Sequence, residues 1–249
     1  MPSSIENQDK TEYPKTTPGV LFGSLILYVA AIFLLMSFCS PYWMESYPES
    51  QSHFINMGLW EYCFKQFHYP YYQFPRSFSG CHNIFSNEYY VIREWLVPAW
   101  LMLVQTFVCI SFILTYLALI LLSLVVIRMP LKTILQFEWL FLSTTYLCVI
   151  ISAISLLLAV AVFGANAYRR DWLLYPKFNV LSWGYSLSVV SLIFLTLSAL
   201  VLHKECKKAY AIRNESKNLV AQMELQETGY QTSRFHNNQH AKNLKGGYI

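Results

Sequence analysis

Residues 40–81 read SPYWMESYPESQSHFINMGLWEYCFKQFHYPYYQFPRSFSGC, and the rest of the chain is organised around this stretch. It lies between two apolar runs, Val20–Cys39 and Leu96–Ile127, neither of which holds an Asp, Glu, Lys or Arg. Trp43 and the triplet Gly58-Leu59-Trp60 precede a pair of cysteines, Cys63 and Cys81. A segment of this size has too little core to fold well alone. A cross-link between the two cysteines would close a loop of roughly 19 residues, and loops of that size gain on the order of 3 kcal/mol from freedom removed from the unfolded chain. The stretch therefore reads as a small disulfide-pinned β-layer, held on the outer face of a membrane by a helical bundle.

Composition supports the membrane. Of 249 residues 55% are hydrophobic and 13% charged, and the mean hydropathy of +0.35 lies outside the range of soluble domains. A bilayer core of about 30 Å needs about 20 apolar residues in a helix. Four uncharged runs meet that length: Val20–Cys39, Leu96–Ile127, Trp139–Tyr168 and Phe178–Leu202. The expected layout is a leader 1–19, spans at 20–39, 95–127, 137–163 and 181–202, loops at 40–94 and 164–180, a link 128–136 and a tail 203–249. The second and third runs exceed one bilayer but are too short for two crossings, so tilt or projection beyond the membrane is expected. A cleaved signal ending near Ser37 and Cys39 competes for the first run. Its apolar stretch is longer than a signal core, and its flank carries Glu6, Asp9 and Glu12 against Lys10 and Lys15.

Positive charge sets the orientation. With both termini in the cytoplasm, twelve of the 18 Lys and Arg residues fall inside and six outside, the arrangement the positive-inside rule favours. Lys204-Glu205-Cys206-Lys207-Lys208, directly after the fourth run, places cations where they act most strongly.

Along the chain, residues 1–19 are polar and contain Pro14 and Pro18, which reads as a disordered lead. Gly23, Ser24, Ala30, Ala31 and Ser37 are small residues that let helices approach closely in lipid. Phe54–Lys65 alternates partially and suits half-covered strands. Tyr69-Pro70-Tyr71-Tyr72 and Phe74-Pro75 read as a projecting tip within Phe64–Ser79, either a recognition surface or an interfacial aromatic belt. The short link carrying Arg128 and Lys132 makes the second and third helices antiparallel neighbours. Glu138 reads as an interfacial carboxylate rather than an ion site. The two outer loops carry opposite net charge and are expected to attract each other or a partner's loop. In the tail, Lys207–Gln226 can continue the fourth helix, whereas Gln231–Gly247 is expected to stay disordered.

Few residues point to chemistry. Only Cys63 and Cys81 lie in an oxidising compartment, which favours one disulfide. His53, His68 and His82 make zinc the competitor, but none has the short paired spacing of a zinc module. No metal or cofactor is expected, nor nucleic-acid binding, and the scattered carboxylates and histidines give an enzyme no constellation. Cys206, beside the membrane among lysines, suits reversible palmitoylation; a free thiol is the other reading. Asn214-Glu215-Ser216 falls in the cytosol, out of reach of glycosylation. The end, Gly247-Tyr248-Ile249, can add as a strand to a PDZ groove, with an uninvolved C-terminus as the alternative.

Trp43, then Gly58-Leu59-Trp60, Cys63, Cys81 and Arg93, on a four-helix plan with the larger loop first, resemble the claudin and peripheral-myelin/epithelial-membrane-protein superfamily. The likeness covers about residues 20–206 and includes Ser182-Trp183-Gly184-Tyr185 and the Tyr-Ile terminus. It implies an all-α membrane protein: a left-handed four-helix bundle carrying a small extracellular antiparallel β-sheet from the first and second outer loops. Trp43, Gly58, Leu59, Trp60 and Arg93 would hold the sheet on the bundle. It further implies a protein of lateral cell-cell junctions in the plasma membrane, building the paracellular barrier with other claudin-like or junctional proteins in cis and trans. Seventeen residues separate the cysteines, more than the usual claudin spacing, which suits invertebrate claudin-like proteins of septate junctions. Tetraspanins would place the large loop second with a Cys-Cys-Gly motif. An auxiliary subunit or trafficking partner of a channel or receptor is the alternative on the same scaffold.

Replacing Cys63 or Cys81 with serine is expected to retain the protein inside the cell or weaken its junctional placement, as read by surface biotinylation. Normal surface delivery of both variants would count against the pinned layer.

Overall fold

The computed structural model describes residues 17–69, 77–127, 131–173 and 176–245. In chain order it contains α1 (Pro18–Cys39), β1 (Met44–Ser46), β2 (Phe54–Met57), β3 (Glu61–Phe67), β4 (Phe78–Asn83), a short α2 (Arg93–Leu96), α3 (Ala99–Ile127), α4 (Leu131–Asn166), β5 (Asn179–Leu181) and α5 (Trp183–Lys245). Among the described residues four helical spans are long and apolar enough to cross a membrane: Pro18–Cys39, Ala99–Ile127, Phe137–Asn166 and Trp183–Thr228. The third begins where Phe137 leaves helical geometry, at φ −115° and ψ 15°.

Several boundaries differ from the sequence expectation. The expected link 128–136 is already helical from Leu131, with the kink at Phe137, and α4 runs on to Asn166 rather than 163. The other two differ for local physical reasons. The second run does not start as one helix at residue 95. It forms α2, breaks at Val97 (φ −118°, ψ 73°) and restarts at Ala99, because Pro98 disfavours helical geometry in the residue before it. The tail also departs from expectation: α5 stays helical through Lys245, whereas residues from Gln231 onward were expected to be disordered. Residues 206–245 contain no proline and one glycine, and their Ala, Lys, Glu and Gln are good helix formers. Cys206–Ile249 is a separate unit from Met1–Glu205, and the side chains of 207–228 are almost all exposed.

Within the first unit, small and hydroxyl side chains bring the helices together. Lipid tails are as apolar as leucine, so close packing and interhelical hydrogen bonds drive association. Gly23, Ala30, Ala31 and Ser37 are buried on α1. Ser198 Oγ donates to the Gly23 carbonyl at 3.2 Å, Ser191 Oγ to Ala30 at 2.8 Å, and Ser37 Oγ to Gly184 at 2.7 Å, tying α1 to α5. Ser24 does not share this role; it is half-buried and bonds back to Leu21. Ser111, Thr115 and Ser152 join α3 to α4 at 2.8 and 2.6 Å. At the start of α1, Thr17 Oγ1 donates to the buried Glu205 carboxylate at 3.0 Å.

The strands form one sheet in the order β4-β3-β2-β1-β5, with every pairing antiparallel. β5 belongs to the segment between α4 and α5, yet it pairs along β1 in the register Met44↔Leu181, Glu45↔Val180 and Ser46↔Asn179. The two inter-helix segments thus meet through a backbone ladder. Among the described residues Arg169 pairs with Asp171 of its own segment at 2.6 Å rather than with the other segment, and both are largely exposed, where such a pair contributes little.

Gly23→Leu is expected to lower the thermal stability of the detergent-solubilised chain by about 1–3 kcal/mol. Even a methyl there would lie 3.3 Å from Leu202 and Val201. An unchanged melting temperature would show that α1 and α5 do not depend on this approach.

Candidate functional site: the anchored sheet

A helix leaves its last carbonyls without intrahelical donors, and the end of α1 meets that need with tryptophan. Trp43 Nε1 donates to the Ser37 carbonyl at 2.8 Å, and Trp60 Nε1 donates to the next one, Phe38, at 3.1 Å. Trp43 is fully buried, edge-on to Phe163 at 5.0 Å and Tyr185 at 6.0 Å. Its backbone N–H bonds Met57 and its carbonyl accepts from Ser182, so one residue joins α1, β1, β2 and the start of α5. Trp60 lies against the Phe38 ring at 5.2 Å.

Gly58 makes this approach possible. A Cβ there would collide with the Ser40 carbonyl oxygen and lie 2.7 Å from Pro41 Cα. Leu59 is fully buried, and its carbonyl accepts from Gln105 Nε2 at 2.6 Å. The hairpin between β2 and β3 is thereby fastened to α1 on one side and α3 on the other. The carbonyl of Leu96, at the end of α2, receives both Tyr62 Oη at 2.7 Å and Trp172 Nε1 at 3.3 Å. Arg93 holds the turn after β4: Nε reaches Ile84 at 3.2 Å, Nη2 reaches Phe85 and Ser86 at 3.1 and 3.3 Å, and the guanidinium lies over the Phe85 and Tyr90 rings.

Cys63 and Cys81 are direct cross-strand partners and form a disulfide. Beneath them the sheet core is aromatic. Tyr62, Phe64, Phe67 and Trp95 stack in sequence at 6.0, 4.9 and 5.5 Å. This corrects the extent of the projecting tip: Phe64, Phe67 and Phe78 are buried strand residues, because strands β3 and β4 carry them onto the covered face. Residues 70–76 of that tip lie outside the described residues.

Tyr89 closes the layer, its hydroxyl donating to the Tyr62 carbonyl at 2.9 Å and approaching Gly80 at 3.3 Å. Burial, with Glu61 and Glu88 adding to it, pushes the Tyr89 phenol well above its ordinary value. Burial raises Tyr62 as well, against a smaller lowering by Trp172. Among the described residues, one group of three metal-ligating side chains comes together, Glu61, Cys63 and Cys81, and its two sulfurs are bonded to each other. His53 and His82 bond backbone carbonyls instead, and His68 is exposed.

The structure thus brings Trp43, Gly58 and Trp60 to the end of α1 and the Leu59 carbonyl to Gln105 of α3, whereas Arg93, expected with them, binds the turn at residues 84–86 instead. Cys206 stands apart, half-buried with a free thiol, and Gly247, Tyr248 and Ile249 lie outside the described residues. Sequence reading missed Tyr62, Tyr89, Gln105 and Trp172. Gln105 alone carried a signal, as the amide in an otherwise apolar run.

The family model described as PMP-22/EMP/MP20/Claudin tight junction matches residues 28–203, from within α1 through the sheet to α5. No curated protein matches the chain.

The tyrosines predict an alkaline limit. A phenol raised in the folded chain keeps its proton there while the unfolded chain ionises near pH 10. The stabilisation is complete below that pH and is lost as pH rises through the folded value. Melting temperature is expected to fall above about pH 10. The fall should be shallower in Tyr89→Phe, which also loses about 1 kcal/mol with its hydrogen bond. Equal slopes would remove Tyr89 from the account.

Proposed function

We propose that this chain, which belongs to the PMP-22/EMP/MP20/claudin family, builds the diffusion barrier between neighbouring cells from within their lateral membranes. It is a multi-pass membrane protein of a junctional family. The observation that carries the finer reading is the single five-stranded sheet, drawn from both inter-helix segments and fixed to α1 and α3. Two loose loops would have to become ordered on meeting a partner, at an entropic cost. A sheet already fixed to the bundle avoids most of that cost and offers the same face to every copy.

In this proposal both chain ends face the cytoplasm, which agrees with the distribution of Lys and Arg and puts the disulfide in an oxidising compartment. Copies meet side by side in one membrane and face counterparts on the adjacent cell. The role is structural, with no catalytic step. The extended segment between the cysteines supplies variable contacts and suits a septate-type junction. The Gly247-Tyr248-Ile249 end would engage a PDZ scaffold, and Cys206 would take a palmitoyl chain.

The test is a tagged copy imaged in a polarised epithelium, with tracer flux measured after depletion. Concentration at lateral contacts and a several-fold rise in flux are expected. Diffuse surface staining, unchanged flux and co-purification with a channel would replace the barrier with an auxiliary role.

A further inference from the structure

A cavity of about 460 Å³ opens between the β1–β2 connection and the far end of β3. β1 leaves α1 and ends at Ser46, while β3 starts beside the Trp60 anchor and reaches Lys65 and Gln66 late in its course. The cavity therefore lies at the end of the sheet away from the helices. Its size falls within the range of small-ligand sites, and nothing in the barrier mechanism uses it.

The lining has a definite chemistry. Ser46, Ser50 and Ser52 contribute hydroxyls, and Gln51 and Gln66 contribute amides. Ser50 Oγ is engaged within the wall by Ser46 Oγ, the Tyr47 carbonyl and the Ser52 N–H, and Ser52 Oγ accepts from the Phe54 N–H and keeps its own proton to donate. The amides, which both donate and accept, match sugar hydroxyls that do the same. Tyr47 adds a half-exposed aromatic ring, a surface for the C–H face of a pyranose. Among the described residues no Asp or Glu lines the cavity, while Lys65 does, and its ammonium has no partner among them. His53 Nδ1 faces the Lys65 carbonyl at 2.9 Å, and the Lys65 N–H returns a bond to the His53 carbonyl at 2.8 Å. That reciprocal pair fixes the wall. With Nδ1 as the donor, the neutral ring keeps Nε2 as an acceptor.

Backbone geometry is an independent observation. Among the described residues two non-glycine residues take left-handed φ, Gln51 and Gln66, both at 47°, and both line this cavity. The register between β3 and β4 shifts between Phe64 and Phe67, and Gln66 N–H bonds the Ser79 hydroxyl instead of a strand carbonyl. Such conformations persist where surroundings hold them and gather at ligand clamps.

We propose that this cavity binds a carboxylate-bearing sugar at the end of a cell-surface glycan, with Lys65 taking the carboxylate and the serine and glutamine groups taking the hydroxyls. An acidic peptide fits less well, since it would leave most of the neutral donor-acceptor pairs unused. The proposal rests on the outward-facing sheet of the preceding section.

The test uses the purified full chain in a detergent without a sugar headgroup, and saturation-transfer NMR with 3′-sialyllactose and lactose as probes. Transfer to the sialyl protons is expected, with much weaker transfer to lactose. Lys65→Gln should weaken sialyllactose about tenfold, the loss of one charge-assisted contact. Lys65→Arg should retain binding. Gln51→Gly, which keeps the left-handed turn and removes the amide, should also weaken it. An intact disulfide by non-reducing mass spectrometry and an unchanged melting temperature certify each variant as folded. No transfer, equal transfer to both sugars, indifference to Lys65→Gln, or displacement by a glutamate-rich peptide alone would overturn the proposal. Binding by purified protein is read without regard to orientation or junctions, so its failure leaves the barrier reading standing, and the reverse holds.

Discussion

The end of a membrane helix cannot leave its carbonyls bare. Water is scarce there, and each unsatisfied group costs several kcal/mol in hydrocarbon. Here the Phe38 carbonyl takes its donor from Trp60, and the Ser37 carbonyl, which holds the Ser40 N–H at 3.3 Å, takes a second and shorter bond from Trp43, seventeen residues before Trp60 in sequence. An indole supplies one N–H and a large apolar body, so the group that satisfies the carbonyl also fills the space around it. For both rings to reach the same helix end, the β2–β3 hairpin must fold back onto the Ser40–Pro41 backbone, and Gly58 has no side chain to prevent it. Asn56, buried between, gives its amide to the Pro41 carbonyl at 2.8 Å.

The same logic recurs at the second helix entry. Pro98 breaks the chain after α2, freeing the Leu96 carbonyl, and Tyr62 and Trp172 converge on it from β3 and from the segment after α4. The helix breaks are thus where the sheet attaches. Above these points the layer is too thin for an ordinary aliphatic core. Stacked rings and one disulfide supply the order instead, with Tyr89 tying the β3 and β4 backbones from below.

Much of this was legible in one dimension. Uncharged runs of bilayer length announced the spans, since apolar length is all a bilayer demands of them. Two cysteines in a single loop announced their own pairing, and the tryptophan and glycine landmarks marked the anchor. The tip is shorter than the sequence suggests because strands β3 and β4 continue through Phe67 and from Phe78, and a bulge near Gln66 hides the alternation that signals a covered face. The tail departs from the disorder its polarity suggests because helix propensity alone allows a helix there.

Span number, the oxidised pair and the family resemblance came from local features: run length, residue type and spacing along the chain. The pairing of β5 with β1, the convergence of Tyr62 and Trp172 on one carbonyl, and the partner of Gln105 came only with three dimensions. These join residues 34 to about 137 positions apart. A hydrogen-bond donor in the sequence names no acceptor. Only the packed helices, by leaving specific carbonyls unsatisfied at specific places, decided which donors would meet them.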